Sequence, residues 1–457
     1  MTDTHTLVTS EPSPPRKSFV SPLLVLLILV ISAWIQFTVV THTSVDGPLR
    51  GDARDYFFYA YNLADSGTYS RSVVLANPPE ALKPDSLRTP GYPLFLAALG
   101  NPEPTPKFVR KVVLAQAGLA VLSVLLFYLI VRRFLDPGWS HAATLLTALG
   151  PHLAMASTYL LTETLFTCFL FASILGLIHA LQHPSIWRCL VSGLLWGLCS
   201  LVRPTTQFLP PLLLILTLLP GCRAYLRPVA MVLLGFLLAQ APWQIRNLSL
   251  PSDLVQKNMT ASFLTFGAYP GFMYENDPET LGYPYRFDPN ADRDEADVRS
   301  ALTHIAKRFR EKPLEYSYWY LIGKPVFFLS WSNPDGNNDL QIFPLLSDPY
   351  SDDARFRAIR AVMLFLHWPL MLLGLTGAFV ALFFPGKLGL DSQQQPAARV
   401  VAGVFCYALV FHMIGAPLPR YGIPFRPLLY PMAILILLAL KGKIHGTPLA
   451  ADTKGKI

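Results

Sequence analysis

Runs of strongly apolar residues, several of them about 20 residues long, recur along the chain near 19–41, 108–131, 139–159, 163–181, 189–201, 208–218, 229–245, 359–384, 400–413 and 428–440. A hydrocarbon core about 30 Å thick requires roughly that length of helix to cross it. Backbone polar groups in hydrocarbon must be satisfied internally, which leaves only helices or closed barrels. These runs are continuous in hydropathy rather than alternating, so they predict helices. Composition agrees: 52% of the residues are hydrophobic and 14% charged, with a mean hydropathy of +0.38, where a soluble domain has about a quarter charged residues. The expected fold class is an all-α polytopic membrane protein with about ten transmembrane helices. No internal repeat is evident, which argues against a transporter built from duplicated halves.

The net charge of +8 fits membrane topology better than nucleic acid. Lys and Arg stand in short clusters beside apolar runs, such as Arg16-Lys17, Arg132-Arg133 and Lys441-Gly442-Lys443, with no long basic tract and no basic–aromatic interleaving. Nucleic acid is therefore not an expected partner. The positive-inside rule places both termini in the cytoplasm. The first run is long, lacks a cleavage site and reads as an anchor. The expected organisation is a disordered cytoplasmic tail (1–18), a first transmembrane helix (19–41) and an outer catalytic loop with interfacial helices (42–106). A transmembrane bundle (107–247), a large extracytoplasmic segment (248–357), C-terminal transmembrane helices (358–440) and a cytoplasmic tail (441–457) follow. In the large segment, 296–312 reads as a charged amphipathic helix and 316–331 as an aromatic run. The five cysteines fall in or beside apolar segments and lack metal spacing, and the ten histidines form no ligand pair.

Ionisable groups at membrane depth cost about 2.5–3.5 kcal/mol each, so each needs a reason. On this topology Asp52, Asp55, Arg88, Glu163, Arg203, Arg246, Arg420 and Tyr421 all fall at outer ends of spans or in outer loops. Arginines there run against the positive-inside trend and need a partner. Phosphate is a natural one, because the guanidinium fork matches its oxygens and stays charged. Each residue also has a plainer explanation. The acids suit the positive ends of helix dipoles, Arg203 and Arg246 suit snorkelling helix ends, and Tyr56 with its aromatic neighbours suits an interfacial belt. Their convergence on one face favours a site.

With those residues in place, the chain resembles the GT-C glycosyltransferases, and within them the bacterial relatives of protein O-mannosyltransferases and of the aminoarabinose transferases that modify lipid A. The resemblance rests on Asp52-Ala53-Arg54-Asp55-Tyr56 with Asn62-Leu63 and Gly67, then Arg88-Thr89-Pro90-Gly91-Tyr92-Pro93 and Thr162-Glu163. It continues through Leu201-Val202-Arg203-Pro204-Thr205, Pro242-Trp243-Gln244-Ile245-Arg246-Asn247 and Arg420-Tyr421-Gly422-Ile423-Pro424. It implies a multi-pass enzyme of the inner (plasma) membrane whose site faces the periplasm or exterior. A hexosyl or pentosyl group would pass from a polyprenyl-phosphate sugar donor to an acceptor hydroxyl or phosphate on a glycan, lipid or protein. The resemblance implies that Asp52 is the general base, that Arg88 contacts the lipid phosphate and that Glu163 lines the same site. Asp55 joins the catalytic set by proximity alone.

Chemistry fits those roles. Polyprenyl phosphate is already a fair leaving group, so the enzyme mainly positions it and neutralises its charge. Arg88, Arg203, Arg246, Lys324 and Arg420 are the expected donor-phosphate ligands, and Tyr56, Tyr92 and Tyr421 the expected substrate contacts. A single displacement would invert the anomeric centre. The sequence names no certain cofactor and leaves a divalent metal open. Some aminoarabinose transferases hold a divalent metal through an acid just before the basic residue, and Leu87 stands in that place here. Membrane lipids would surround the spans. Two rivals remain, a lipid-linked saccharide flippase or transporter and an oligosaccharide ligase or polymerase.

Overall fold

The computed structural model describes residues 20–219, 221–251, 259–332 and 339–444. The expected tail 1–18 and the end of the expected tail 441–457 lie outside the described residues. The chain opens with α1 (Val20–His42), followed by β1 (Ser44–Val45), α2 (Asp52–Ser66) and α3 (Gly91–Ala98). The first bundle comprises α4 (Pro106–Val131), α5 (Pro137–Ala148), α6 (Pro151–Ala156), α7 (Glu163–Gln182), α8 (Ile186–Val202), α9 (Leu209–Leu216) and α10 (Leu226–Leu248). A segment of short helices follows: α11 (Met259–Phe266), α12 (Ala291–Asp294), α13 (Val298–Glu311), α14 (Pro313–Tyr318) and α15 (Lys324–Leu329). Then come β2 (Leu345–Ser347), α16 (Pro349–Asp352), α17 (Ala354–Phe383), α18 (Gln395–Ile414), α19 (Pro419–Gly422) and α20 (Leu429–Ile444).

Every expected apolar run is helical. Among the described residues, α1, α4, α7, α10, α17 and α18 are long and apolar enough to cross a membrane, and α8 and the stretch containing α9 form shorter apolar helices. The expected span 139–159 is divided into α5 and α6 at Gly150-Pro151, where proline at the first helical position ends the preceding turn. Local signals set other starts. Thr105 caps α4 by accepting from the Phe108 N–H at 3.3 Å, and Asp297 caps α13 by accepting from Ser300 N–H at 2.7 Å. The loop expected to carry short helices holds α2 and α3, both too short to span. The amphipathic helix expected at 296–312 is α13, which packs Val298, Ala301 and Ile305 on Ala261 and Leu264 of α11.

Two features tie distant parts of the chain together. The antiparallel pair β1–β2 sets Ser44 opposite Ser347 and so links the start of the first outer loop to the end of the large segment. Glycines let helices meet backbone to backbone. A Cβ on Gly193 would lie 2.0 Å from the Val232 carbonyl oxygen, and one on Gly235 would lie 2.2 Å from that of Leu190. Gly193 and Gly197 are one turn apart on α8, so α8 and α10 pack by the small-residue mode that suits helices in lipid. Gly377 of α17 plays the same part against α20, where a Cβ would meet the Met432 carbonyl oxygen at 2.1 Å.

This packing predicts that Gly193→Ala forces α8 and α10 apart and lowers stability by about 1–3 kcal/mol, the usual cost of overpacking. Gly118→Ala in α4, where an added Cβ meets nothing within 4 Å, is expected to be neutral or to stabilise by up to about 1 kcal/mol. Thermal unfolding of the two variants in detergent compares them directly.

Candidate active site

The outer loop after α1 begins its helix at Gly51, whose φ of +52° suits glycine and turns the chain into α2. Asp52 and Asp55 then stand three residues apart on one face of the first helical turn, where the helix dipole favours carboxylates. Both face Arg88. Its Nη2 donates to Asp52 Oδ1 at 2.6 Å and to Asp55 Oδ2 at 3.0 Å, and its Nε donates to Asp55 at 3.3 Å. From the far end of the chain Arg420 Nη2 donates to the other Asp52 oxygen at 2.9 Å. Asp52 therefore lies between two guanidiniums.

Arg88 is held in place by close approach. A Cβ on Gly91 would lie 2.6 Å from the Val202 backbone nitrogen, so the loop bearing Arg88 lies flat on the C-terminal end of α8. That contact brings Arg88 near Arg203. Arg203 Nη1 donates to Glu163 Oε1 at 3.3 Å, and its guanidinium lies 4.4 Å from the centre of the Tyr421 ring. Glu163 begins α7 and is buried, and its Oε2 has no hydrogen-bond partner among the described residues.

These groups open on a cavity of about 720 Å³ lined by Asp52, Tyr56, Arg88, Glu163, Arg203, Arg420 and Tyr421, within the size range of small-molecule sites. The rest of its wall is mixed, with polar residues such as Thr89, Thr205, Gln207 and His412 beside apolar ones that include Phe208, Phe263, Phe411 and Ile414. The lining thus offers guanidiniums that can hold an anion and apolar rings that can meet a hydrocarbon. Burial alone would push the Asp52 carboxyl up, but Arg420 and Arg88 outweigh it and hold it at about 2. Burial pushes the Tyr56 phenol up to about 12, which keeps it a neutral donor over which Arg88 lies 5.5 Å away.

Four expected site residues fall outside this lining. Asp55 faces Arg88 and orients it. Tyr92 is fully buried, donating to Gln116 Oε1 at 2.7 Å and meeting Tyr56 edge-on at 5.2 Å, so it supports a cavity residue. Arg246 donates to the Asp85 carbonyl at 2.6 Å and the Tyr69 carbonyl at 3.1 Å, while Tyr69 donates its hydroxyl to the Arg88 carbonyl at 3.0 Å. It thus fixes the loop that carries Arg88. Lys324 is completely buried and donates to the Gly415 carbonyl at 3.0 Å, and burial pushes its amine down to about 6. Its place is the C-terminal end of α18. Arg246 and Lys324, expected at the donor phosphate, and Tyr92, expected at the substrate, thus stand outside the cavity lining. Each side chain is already committed to a backbone or buried partner.

Other organising residues carry weaker sequence signals. Asp85 accepts from the Arg71 and Leu87 N–H groups at 3.0 and 3.1 Å and from the Tyr59 hydroxyl. Arg426, buried at the start of α20, donates to the Pro419 carbonyl at 2.8 Å and so holds the turn bearing Arg420. Among the described residues no three metal-ligating side chains come together. A guanidinium stands between Asp52 and Asp55, where a divalent cation bridging the two carboxylates would sit, so the residues present do not fit a metal there.

The comparisons agree with this architecture. Residues 108–245, less than half of the chain, match the family model described as dolichyl-phosphate-mannose-protein mannosyltransferase. The archaeal oligosaccharyltransferase AglB from Archaeoglobus fulgidus, solved with an inhibitory peptide and a dolichol-phosphate, superposes with a TM-score of 0.50 at 13% identity, over 97% of this chain and 53% of its own. The chain thus spans about half the length of that enzyme. ArnT from Cupriavidus metallidurans, solved with undecaprenyl phosphate, matches over 95% of this chain and 80% of its own at 14% identity, but its TM-score of 0.37 is too low to bear on the argument. No curated protein matches the chain. What these findings share is the fold: an all-α polytopic membrane protein of the GT-C type.

Because its folded value lies below the ordinary 3.8, Asp52 adds stability above that range and loses it as pH falls toward about 2. Arg420→Gln removes one opposing cation and leaves burial to weigh more. The variant is expected to lose this contribution at higher pH than wild type. Unfolding temperatures across the acid range, from roughly pH 5 downward, read the difference.

Proposed function

We propose that this protein is an integral membrane glycosyltransferase that moves a sugar from a polyprenyl-phosphate donor to an acceptor hydroxyl on the extracytoplasmic side, with inversion. The observation that carries the proposal is the Asp52–Arg88–Arg420 cluster lining a cavity that is also lined by the apolar side chains Phe208, Phe263, Phe411 and Ile414. The family that matches 108–245 is named for a lipid-phosphate sugar donor, and the structural neighbour AglB was solved with a lipid phosphate. A flippase would also use arginines, but would need them along a path between leaflets, and here they gather at one end of the bundle.

In this reading the donor phosphate enters between Arg88, Arg203 and Arg420, and the isoprenoid lies along Phe208, Phe411 and Ile414. The acceptor oxygen attacks the anomeric carbon from the face opposite the phosphate. Its proton passes to Asp52, and the breaking C–O bond leaves its electron pair on the phosphate oxygen, releasing polyprenyl phosphate. Arg88 and Arg420 stabilise the charge that grows there. Glu163 accepts from hydroxyls through its unpartnered oxygen.

A carboxyl held at about 2 is a weak base. Phosphate competes with Asp52 for the same guanidinium hydrogens, and as it draws them away the basicity of Asp52 rises. The base is therefore activated by the donor.

Purified protein in detergent is expected to transfer sugar from at least one member of a panel of polyprenyl-phosphate sugars, without ATP or an ion gradient. Asp52→Asn should lower kcat by about 10²–10⁴-fold, the worth of a general base, and Arg88→Ala should lower kcat/KM by about 10²–10³-fold. Lipid binding without transfer, unchanged in Asp52→Asn, would instead favour transport.

A further inference from the structure

His412 lies near the C-terminal end of α18 and lines the cavity, with Tyr421 on one side of its ring and Phe263 and Phe411 beside it. It is buried, with Phe328 stacked on its ring at 4.9 Å and Tyr421, the platform of Arg203, at 5.3 Å. Its Nδ1 is 2.9 Å from the Ala416 carbonyl oxygen. A carbonyl only accepts, so Nδ1 must carry the proton and the neutral ring presents Nε2 as a bare acceptor. That Nε2 is buried and has no hydrogen-bond partner among the described residues. Two other buried histidines differ: His152 and His367 place Nε2 2.7 and 2.8 Å from the carbonyls of Trp331 and Leu329.

A buried acceptor is ordinarily paired, and the chemistry of Nε2 narrows what can pair with it. It needs a donor hydrogen, so an ionised phosphate, which only accepts, is not the partner. The isoprenoid has no polar hydrogen. A sugar hydroxyl has one. We propose that His412 Nε2 accepts a hydrogen bond from a hydroxyl of the donor's sugar, making His412 a substrate-contacting residue that discriminates a glycosylated lipid phosphate from a bare one. The proposal rests on the donor class proposed above.

Three variants separate the two ring nitrogens. His412→Asn keeps a donor near Nδ1 and loses Nε2, His412→Gln places a polar group near Nε2 and loses Nδ1, and His412→Phe keeps only the ring. The expected result is a donor KM raised about tenfold in the Asn and Phe variants, the scale of one lost hydrogen bond, with recovery in the Gln variant. Binding of sugar-free undecaprenyl phosphate should be unchanged in all three. Full activity in the Asn variant with loss in the Gln variant would assign His412 a purely structural role and overturn the proposal, as would equal loss of affinity for sugar-free lipid. Titrating wild type and His412→Asn with glycosylated and sugar-free lipid phosphate keeps the test separate from catalysis. If wild type transfers nothing but prefers the glycosylated lipid, and the Asn variant loses that preference, the donor reaction fails while the contact stands. If wild type shows no preference, the contact itself fails.

Discussion

Asp52 accepts from Arg88 at 2.6 Å and from Arg420 at 2.9 Å, and this one carboxylate joins the first outer loop to the turn before the last helix. Charges near a bilayer persist only when paired, and removing one member of a buried pair costs about 3–5 kcal/mol because the other is left alone. The pairing therefore constrains more than the site. It requires α1 and α18 to end, and α7 to begin, at the same end of the bundle. It also requires loop 86–89 to lie against the end of α8, which Gly91 permits. Arg203 and Glu163 repeat the arrangement one step deeper, with Tyr421 between the two arginines.

Around that centre, a second set of residues fixes the loop and never reaches the cavity. Arg246 crosses from α10 to the carbonyls of Asp85 and Tyr69, Tyr69 reaches the Arg88 carbonyl, and Asp85 gathers the intervening N–H groups. Gln116 of α4 receives Tyr92 and donates to the carbonyls of Ser157 and Tyr159 at 2.9 Å. A charged or polar group on a rigid spanning helix thus holds each part of an otherwise irregular loop. The tight glycine contacts of α8 with α10 and of α17 with α20 keep those helices from drifting. Precision at Arg88 is inherited from the bundle.

Much of this was legible in the sequence because membranes reduce the problem. Ten apolar runs gave the helices, and the positive-inside rule gave the end at which each acid and arginine would emerge. That was enough to gather Asp52, Arg88, Glu163, Arg203, Arg420 and Tyr421 into one cavity. What end-of-helix reasoning does not supply is direction. Arg246 and Lys324 emerge at the right level but point at backbone carbonyls, and Tyr92 turns inward to Gln116. Arg426 breaks the same rule against buried charge that singled out Arg203, and reading it that way would have found it. His412 had no such signal, since a lone histidine in an apolar helix is most often a satisfied core residue. Only the hydrogen bond at Nδ1 and the empty acceptor at Nε2 distinguish it.

The balance of charge in and beside the cavity bears on how the proposed reaction would proceed. Arg88, Arg203 and Arg420 stand against Asp52, Asp55 and Glu163, three cations against three carboxylates. A site already neutral gains nothing from a phosphate by simple attraction and must exchange partners to hold one. The guanidinium hydrogens that phosphate takes are those now given to Asp52, because Asp55 retains the Nε side of Arg88 and Glu163 retains Arg203. Exchange at Asp52 has a consequence that exchange elsewhere would lack: the carboxylate losing its cations remains next to a new anion, and both changes raise its affinity for a proton. Phosphate recognition and base activation then become a single event, in which the leaving group prepares the base that will act against it. In the proposed reaction, a hydroxyl arriving without a donor would meet a carboxylate too weak to take its proton.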